Sequence, residues 1–129
     1  MRAAHIVDER QASAEAAAVV TKAVVRAAER LGLSGRELAA VLGVSEATVS
    51  RMKRGRHLLR PGEKAFELAV LFIRMFRSLD AITGGDEAVA RAWLRNTNNV
   101  LGAPPAENIR SIGGLVDVIA YLDGRRAPV

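Results

Sequence analysis

"LSGRELAAVLGVSEATVSRMKRG", residues 33–55, is the stretch on which the fold turns. Ser34, with Glu37 three residues on, makes a capping box. The serine hydroxyl accepts from the glutamate N–H, and the carboxylate returns to the N–H of the cap. This spacing predicts a short helix up to Leu42, ended by Gly43, which takes left-handed backbone without a Cβ penalty. Ser45 caps a second helix through roughly Arg54, and Gly55 stops it. Ala39, four positions before Gly43, is small enough to let the two helices close on each other. Leu38, Leu42, Val44, Val49 and Met52 are spaced to face inward, which leaves Glu46, Ala47, Ser50, Arg51 and Arg54 pointing out from the second helix. Two short helices meeting at a glycine have the layout of a helix-turn-helix. The same caps would also serve a plain two-helix corner, so charge has to decide between them.

Charge favours the first. Residues 34–64 hold seven Lys/Arg against three Glu, and "RMKRGRHLLR" (51–60) holds five basic residues and no acidic one. The whole chain carries a net charge of only +5, so the excess is concentrated on this segment. A basic run beside an outward-facing short helix is the footprint of a partner for nucleic acid.

Working outward, nothing reads as a strand. Upstream, residues 12–31 are alanine-rich, with Val20, Val24, Ala27 and Leu31 in a stripe at helical spacing and Lys22, Arg26 and Glu29 opposite; Gly32 ends it. Downstream, Pro61 in a first turn and Glu63 predict a longer helix over about 62–82. Thirteen of the eighteen residues 65–82 are apolar. A helix apolar on nearly every side is central to the domain or buried between subunits. "TGGD" (83–86) breaks it, and Asp86 caps a helix through Arg95. "AWLRNTNNVLGAPP" (92–105) then carries the only tryptophan. Ala88, Val89, Ala92 and Trp93 are spaced onto one face, which predicts that Trp93 anchors this helix to the long apolar one. Its asparagines suit a turn, through left-handed backbone or bonds to their own main chain, and Pro104 and Pro105 stiffen the approach to a short helix near 106–112. A last helix over 115–122 completes an all-α chain.

The residues exclude other classes. With no cysteine there are no disulfides, thiolate metal sites or thiol nucleophiles, which suits a reducing cytoplasm. The start "MRAAHIVDERQ" lacks the apolar core of a signal peptide. The longest apolar run, "LAVLFI" (68–73), is too short to span a bilayer. His5 and His57 stand in no metal-ligand spacing, and "GGD" and "IGG" lack the strand and lysine of a phosphate-binding loop. Asp8-Glu9 and Asp86-Glu87 suit a solvated tail and a helix N-terminus. No nucleophile has an adjacent base, so neither an enzyme nor a cofactor is expected.

Over Leu33 to Gly55 the small, glycine and apolar positions resemble the Xre/Cro-type repressors. The resemblance implies that the second helix lies in the major groove of operator DNA, with Glu46, Ala47 and Arg51 facing base edges. Ser45, Thr48, Lys53, Arg54 and Arg56 are placed for phosphates, and Ser50 shares their outward face. It also implies a dimer reading two half-sites, for which the long apolar helix is a candidate interface. The C-terminal third carries Ala92-Trp93-Leu94, Asn99, Leu101-Gly102, Pro105, Gly114, Val118, Tyr121-Leu122 and Gly124. That pattern resembles the toxin-binding domain of the Xre/MbcA/ParS-type antitoxins, which follows a helix-turn-helix of this kind. This resemblance implies an antitoxin that neutralises a RES-domain, NAD-depleting toxin and represses its own operon, within a larger toxin–antitoxin complex. It implies toxin contacts from Tyr121, Gly124, Arg125 and Arg126, the two arginines forming a cationic tip suited to a cleft that binds an anionic dinucleotide. The expected organisation is a flexible start (1–11), a DNA-binding helical domain (12–82) and a toxin-binding domain (83–129). The alternative is a stand-alone Xre-family regulator whose C-terminal domain dimerises or senses a ligand.

Overall fold

The computed structural model describes the backbone of residues 2–126 and the side chains of residues 8–126. His5, as a side chain, and residues 127–129 of the tail lie outside the described residues. The described residues form helices joined by turns: α1 (Arg2–Arg30), α2 (Gly35–Leu42), α3 (Glu46–Lys53), α4 (Lys64–Ile82), α5 (Glu87–Arg95), α6 (Pro105–Asn108) and α7 (Ile112–Arg126). The chain is all-α, as the periodicities predict.

The capping signals of the central stretch form as bonds. Glu37 N–H donates to Ser34 Oγ at 3.1 Å and Ser34 N–H to Glu37 Oε1 at 2.9 Å. Thr48 N–H donates to Ser45 Oγ at 3.0 Å. Gly43 ends α2 at φ 70°, with Val44 N–H bonded back to the Ala39 carbonyl at 3.1 Å. Leu38, Leu42, Val49 and Met52 are buried, with Val44 packed at the edge of the core. Each departs little from water in the unfolded reference but fully in the fold, which stabilises by about 1.5–3 kcal/mol per large apolar side chain.

α4 is the axis of the molecule. It packs against α7 and α1, and more narrowly against α2 and α5. Phe72, Met75 and Leu79 are completely buried, while Val70 and, at the helix's C-terminal end, Ile82 remain 45% and 40% exposed. Its centrality explains most of its apolar composition. The helix starts at Lys64 rather than in a proline-led first turn, because Pro61-Gly62 forms a tight turn instead: Glu63 N–H donates to the Arg60 carbonyl at 3.1 Å, with Gly62 at φ 92°. Proline then glycine at the two central positions is the type II pattern.

Three further expectations change. α1 begins upstream of residue 12, with helical backbone from Arg2. Residues 8–15 are exposed, and the first buried side chain among the described residues is Ala17. On α5 the buried pair is Ala90 and Leu94, while Ala88 and Ala92 are exposed and Val89 is 51% exposed. The helix is turned about its axis because Arg91 and Arg95 are held by carbonyls of the α1–α2 corner, at 2.9 Å (Arg91 Nε to Arg30 O) and 3.1 Å (Arg95 Nη2 to Gly32 O). Finally, α7 runs from Ile112 straight through Gly124 to Arg126. Ser111 caps it, Gly114 N–H donating to Ser111 Oγ at 3.0 Å. Its far end is held on α4: Arg74 and Ser78 both donate to Asp123 (2.6 and 3.1 Å), and Arg126 donates to Ser78 Oγ at 3.0 Å. Those contacts outweigh the cost of about 1 kcal/mol for an interior helical glycine.

In the loop 96–104, Asn98 does what asparagine is suited to. Its Oδ1 accepts from Val100 N–H (2.9 Å) and Leu101 N–H (3.1 Å). The left-handed position falls to Gly102, and no non-glycine residue has positive φ among the described residues.

Candidate functional site

The outward face of α3 is organised by its own polar side chains. Ser45, Glu46, Ala47, Arg51, Lys53, Arg54 and Arg56 are exposed, and Thr48 and Ser50 are half-exposed. Arg51 Nη2 donates to Thr48 Oγ1 at 3.0 Å, and Thr48 Oγ1 also lies 2.9 Å from Ser45 Oγ. Arg54 Nη2 donates to Ser50 Oγ at 3.0 Å. The three hydroxyl residues thus hold two guanidinium groups in defined directions. Each guanidinium spends one of its five donors on this and keeps the rest for a ligand. No carboxylate neutralises Arg51, Lys53, Arg54 or Arg56 among the described residues. The face therefore offers a short helix with two positioned guanidiniums and a cationic end, matched to base-edge acceptors and phosphate oxygens.

A second surface lies where α4, α5 and α7 meet. Trp93 and Tyr121 stack with ring centroids 6.2 Å apart and planes at 22°. Arg125 lies over the Tyr121 ring at 5.9 Å and donates to its hydroxyl at 3.2 Å. Ile82 and Val89 border the same shallow cleft. Trp93 and Tyr121 are both half-buried, so each keeps an exposed aromatic edge. Of the residues expected on the C-terminal surface, Tyr121 and Arg125 come together here. Arg126 is turned toward Ser78 on α4, and Gly124 is exposed between them. Trp93 packs half-buried against the core, as expected of the only tryptophan, and also joins this surface by stacking on Tyr121; that partner is 28 positions away in sequence, and no local spacing reports it.

Side-chain contacts link the two surfaces. Arg95 on α5 grips the Glu37 carboxylate with both terminal nitrogens, one at 2.9 Å to Oε1. Glu37 is the capping-box residue of α2, so α5 supports the start of the helix-turn-helix itself. The hydrogen bond from Arg95 holds the Glu37 carboxyl down at about 2. Arg30 donates to Asp80 and Glu87 at 3.3 and 3.1 Å and lies 4.9 Å over Phe76. Arg91 caps the final carbonyls of α1, where a cation is favoured by the helix dipole.

No cluster of three or more His, Cys, Asp or Glu placed to hold a metal occurs among the described residues, and no helix there is long and apolar enough to cross a membrane. Compared with known families, residues 10–74 match the antitoxin Xre-like helix-turn-helix domain. Residues 78–127 match the antitoxin Xre/MbcA/ParS C-terminal toxin-binding domain. No curated protein matches the chain significantly in sequence. With α3 framed as the second helix of a helix-turn-helix and the Trp93–Tyr121 surface inside the toxin-binding match, the chain belongs to the Xre/MbcA/ParS antitoxins.

Proposed function

We propose that this antitoxin neutralises a RES-domain, NAD-depleting toxin through its C-terminal helices and represses its own operon through α3. The observation that carries this reading is the pairing of two differently built surfaces on one chain: a cationic helix face on α3, and an aromatic and cationic cleft between α5 and α7. Residues 12–82 form the DNA-binding domain, residues 83–129 the toxin-binding domain, and residues 1–11 a flexible N-terminus. Arg51, with Glu46 and Ala47, reads base edges; Lys53, Arg54 and Arg56 hold phosphates; Ser45, Thr48 and Ser50 orient the arginines. Tyr121, Gly124, Arg125 and Arg126 contact the toxin, with Trp93 beside them. One 8-residue recognition helix buries too little to hold an operator alone, so the active form is a homodimer within a larger cytoplasmic toxin–antitoxin complex. Its role is binding rather than catalysis.

The test is separation of the two activities. Arg51→Ala with Lys53→Ala should abolish the gel shift of the chain's own promoter while co-expression still rescues growth from the toxin. Deleting residues 124–129 should do the reverse. A gel shift that survives the double substitution would refute the docking of α3, and unaltered rescue by the truncated chain would refute the toxin surface. A homodimer that binds DNA but protects against no toxin would establish the stand-alone regulator instead.

A further inference from the structure

α1 presents a second cationic feature that its sequence pattern shows only as a solvated face. Lys22 and Arg26, one turn apart, line a cleft of about 480 Å³ against the end of α3, where Lys53 and Arg54 close the other side. Buried Val25 and Met52 line its apolar wall. Glu29 is the only carboxylate among the lining residues. Among the described residues, Lys22, Arg26 and Lys53 have no ion-pair or hydrogen-bond partner through their side chains, and Arg54 bonds only Ser50. By contrast, Arg30, Arg74 and Arg95 are each held by carboxylates. Four exposed basic residues around one cleft with a single acidic group repel each other and favour an anion, with little competition from carboxylates. An apolar wall strengthens that attraction by lowering the local dielectric.

We propose that this α1–α3 cleft is a phosphate site for the DNA backbone, with Lys22 and Arg26 as contacts beyond the helix-turn-helix. Arg54 belongs both to the cleft and to the outward face of α3, so an occupant of the cleft is continuous with a duplex lying on that face. A phosphodiester is a compact anion whose oxygens suit both an Arg fork and Lys point charges. This inference rests on DNA binding by α3.

The experiment measures binding of the full chain to its promoter duplex and to an unrelated duplex by fluorescence anisotropy, from low to moderate KCl. Wild type, Lys22→Gln with Arg26→Gln, and Arg51→Ala are compared, with circular dichroism and the unfolding midpoint confirming that each folds. Two lost phosphate contacts should flatten the log–log salt slope by about 1.8 and weaken binding at 0.1 M salt by up to about 60-fold, equally on both duplexes. Wild-type slope and affinity in the double variant would overturn the site, as would a loss confined to the promoter duplex, which would make these residues base readers. Loss of toxin co-purification with unchanged DNA binding would assign the cleft to an acidic protein surface and also overturn it. If Arg51→Ala abolishes promoter preference while the double variant behaves as wild type, only this inference falls. If wild type binds neither duplex, the DNA-binding reading falls and takes the cleft with it.

Discussion

Replacing Gly114 with alanine should destabilise the protein, although the same change in most helices does the opposite. A Cβ built at Gly114 lies 1.9 Å from the Asn108 carbonyl oxygen, 2.7 Å from its carbon and 2.9 Å from Ser111 Oγ. Ordinary C···O contact needs about 3.3 Å, so the α6–α7 corner must open by more than an ångström. The obstacle is backbone, which cannot rotate away. That same carbonyl accepts from Ser111 N–H at 3.3 Å, and the Asn108 side chain donates to Leu101 O at 3.2 Å, so the shift disturbs the α7 cap and the preceding loop together. Overpacking of this kind costs about 3 kcal/mol, against a gain of about 1 kcal/mol for alanine over glycine in a helix. The net is a loss of about 2 kcal/mol, or roughly 8 °C in midpoint for a chain of this size. Gly124 in the same helix is the control: nothing lies within 4 Å of its Cβ, so Gly124→Ala should gain up to about 1 kcal/mol. Urea titrations at equal protein concentration measure both. A Gly114→Ala midpoint equal to or above that of Gly124→Ala would refute the close approach.

Three other outcomes are expected. Thr21 is buried, donating to Ala17 O at 2.6 Å and accepting from the buried Leu59 N–H at 2.9 Å, so Thr21→Val should cost about 1–3 kcal/mol in denaturant titration and Thr21→Ser distinctly less. Glu37 has a folded pKa of about 2 against an ordinary 4.5, so its pairing stabilises fully above pH 4.5 and that contribution is lost as pH falls toward 2. Arg95→Met should remove this part of the acid sensitivity, about 1 kcal/mol once screening of the half-exposed arginine is allowed for, and stability curves that stay parallel through that pH window would contradict it. Trp93→Ala should weaken toxin binding at least ten-fold in calorimetry while promoter binding is unchanged, since exposed aromatic anchors carry interface energy out of proportion to their number.

Local chemistry is what a sequence states openly. The Ser34–Glu37 box, the Ser45 and Asp86 caps, the stop at Gly43 and the Asn98 turn all depend on groups a few residues apart, and each forms as its residue types require. The rotation of α5 could not be seen in the same way. Ala88, Val89, Ala92 and Trp93 make a plausible inner face, but Arg91 and Arg95 find partners some sixty residues upstream and turn the helix by those bonds. Gly124 carries a stop signal that the Arg74–Asp123–Ser78–Arg126 contacts override from another helix. The same reason hid the α1–α3 cleft: Lys22 and Arg26 are exposed, as their spacing predicts, and only the placement of α3 shows the cleft they border. The Trp93–Tyr121 pair likewise exists only once α5 and α7 are side by side.

The proposed function requires one chain to hold DNA and toxin at the same time. The most direct measurement is the mass, by size-exclusion chromatography with light scattering, of this chain co-expressed with the protein encoded in the adjacent reading frame, with and without its promoter duplex. A stable complex of the two proteins that gains the mass of the duplex is the predicted result. A homodimer that elutes alone, with no partner retained and no shift on adding the duplex, would contradict it.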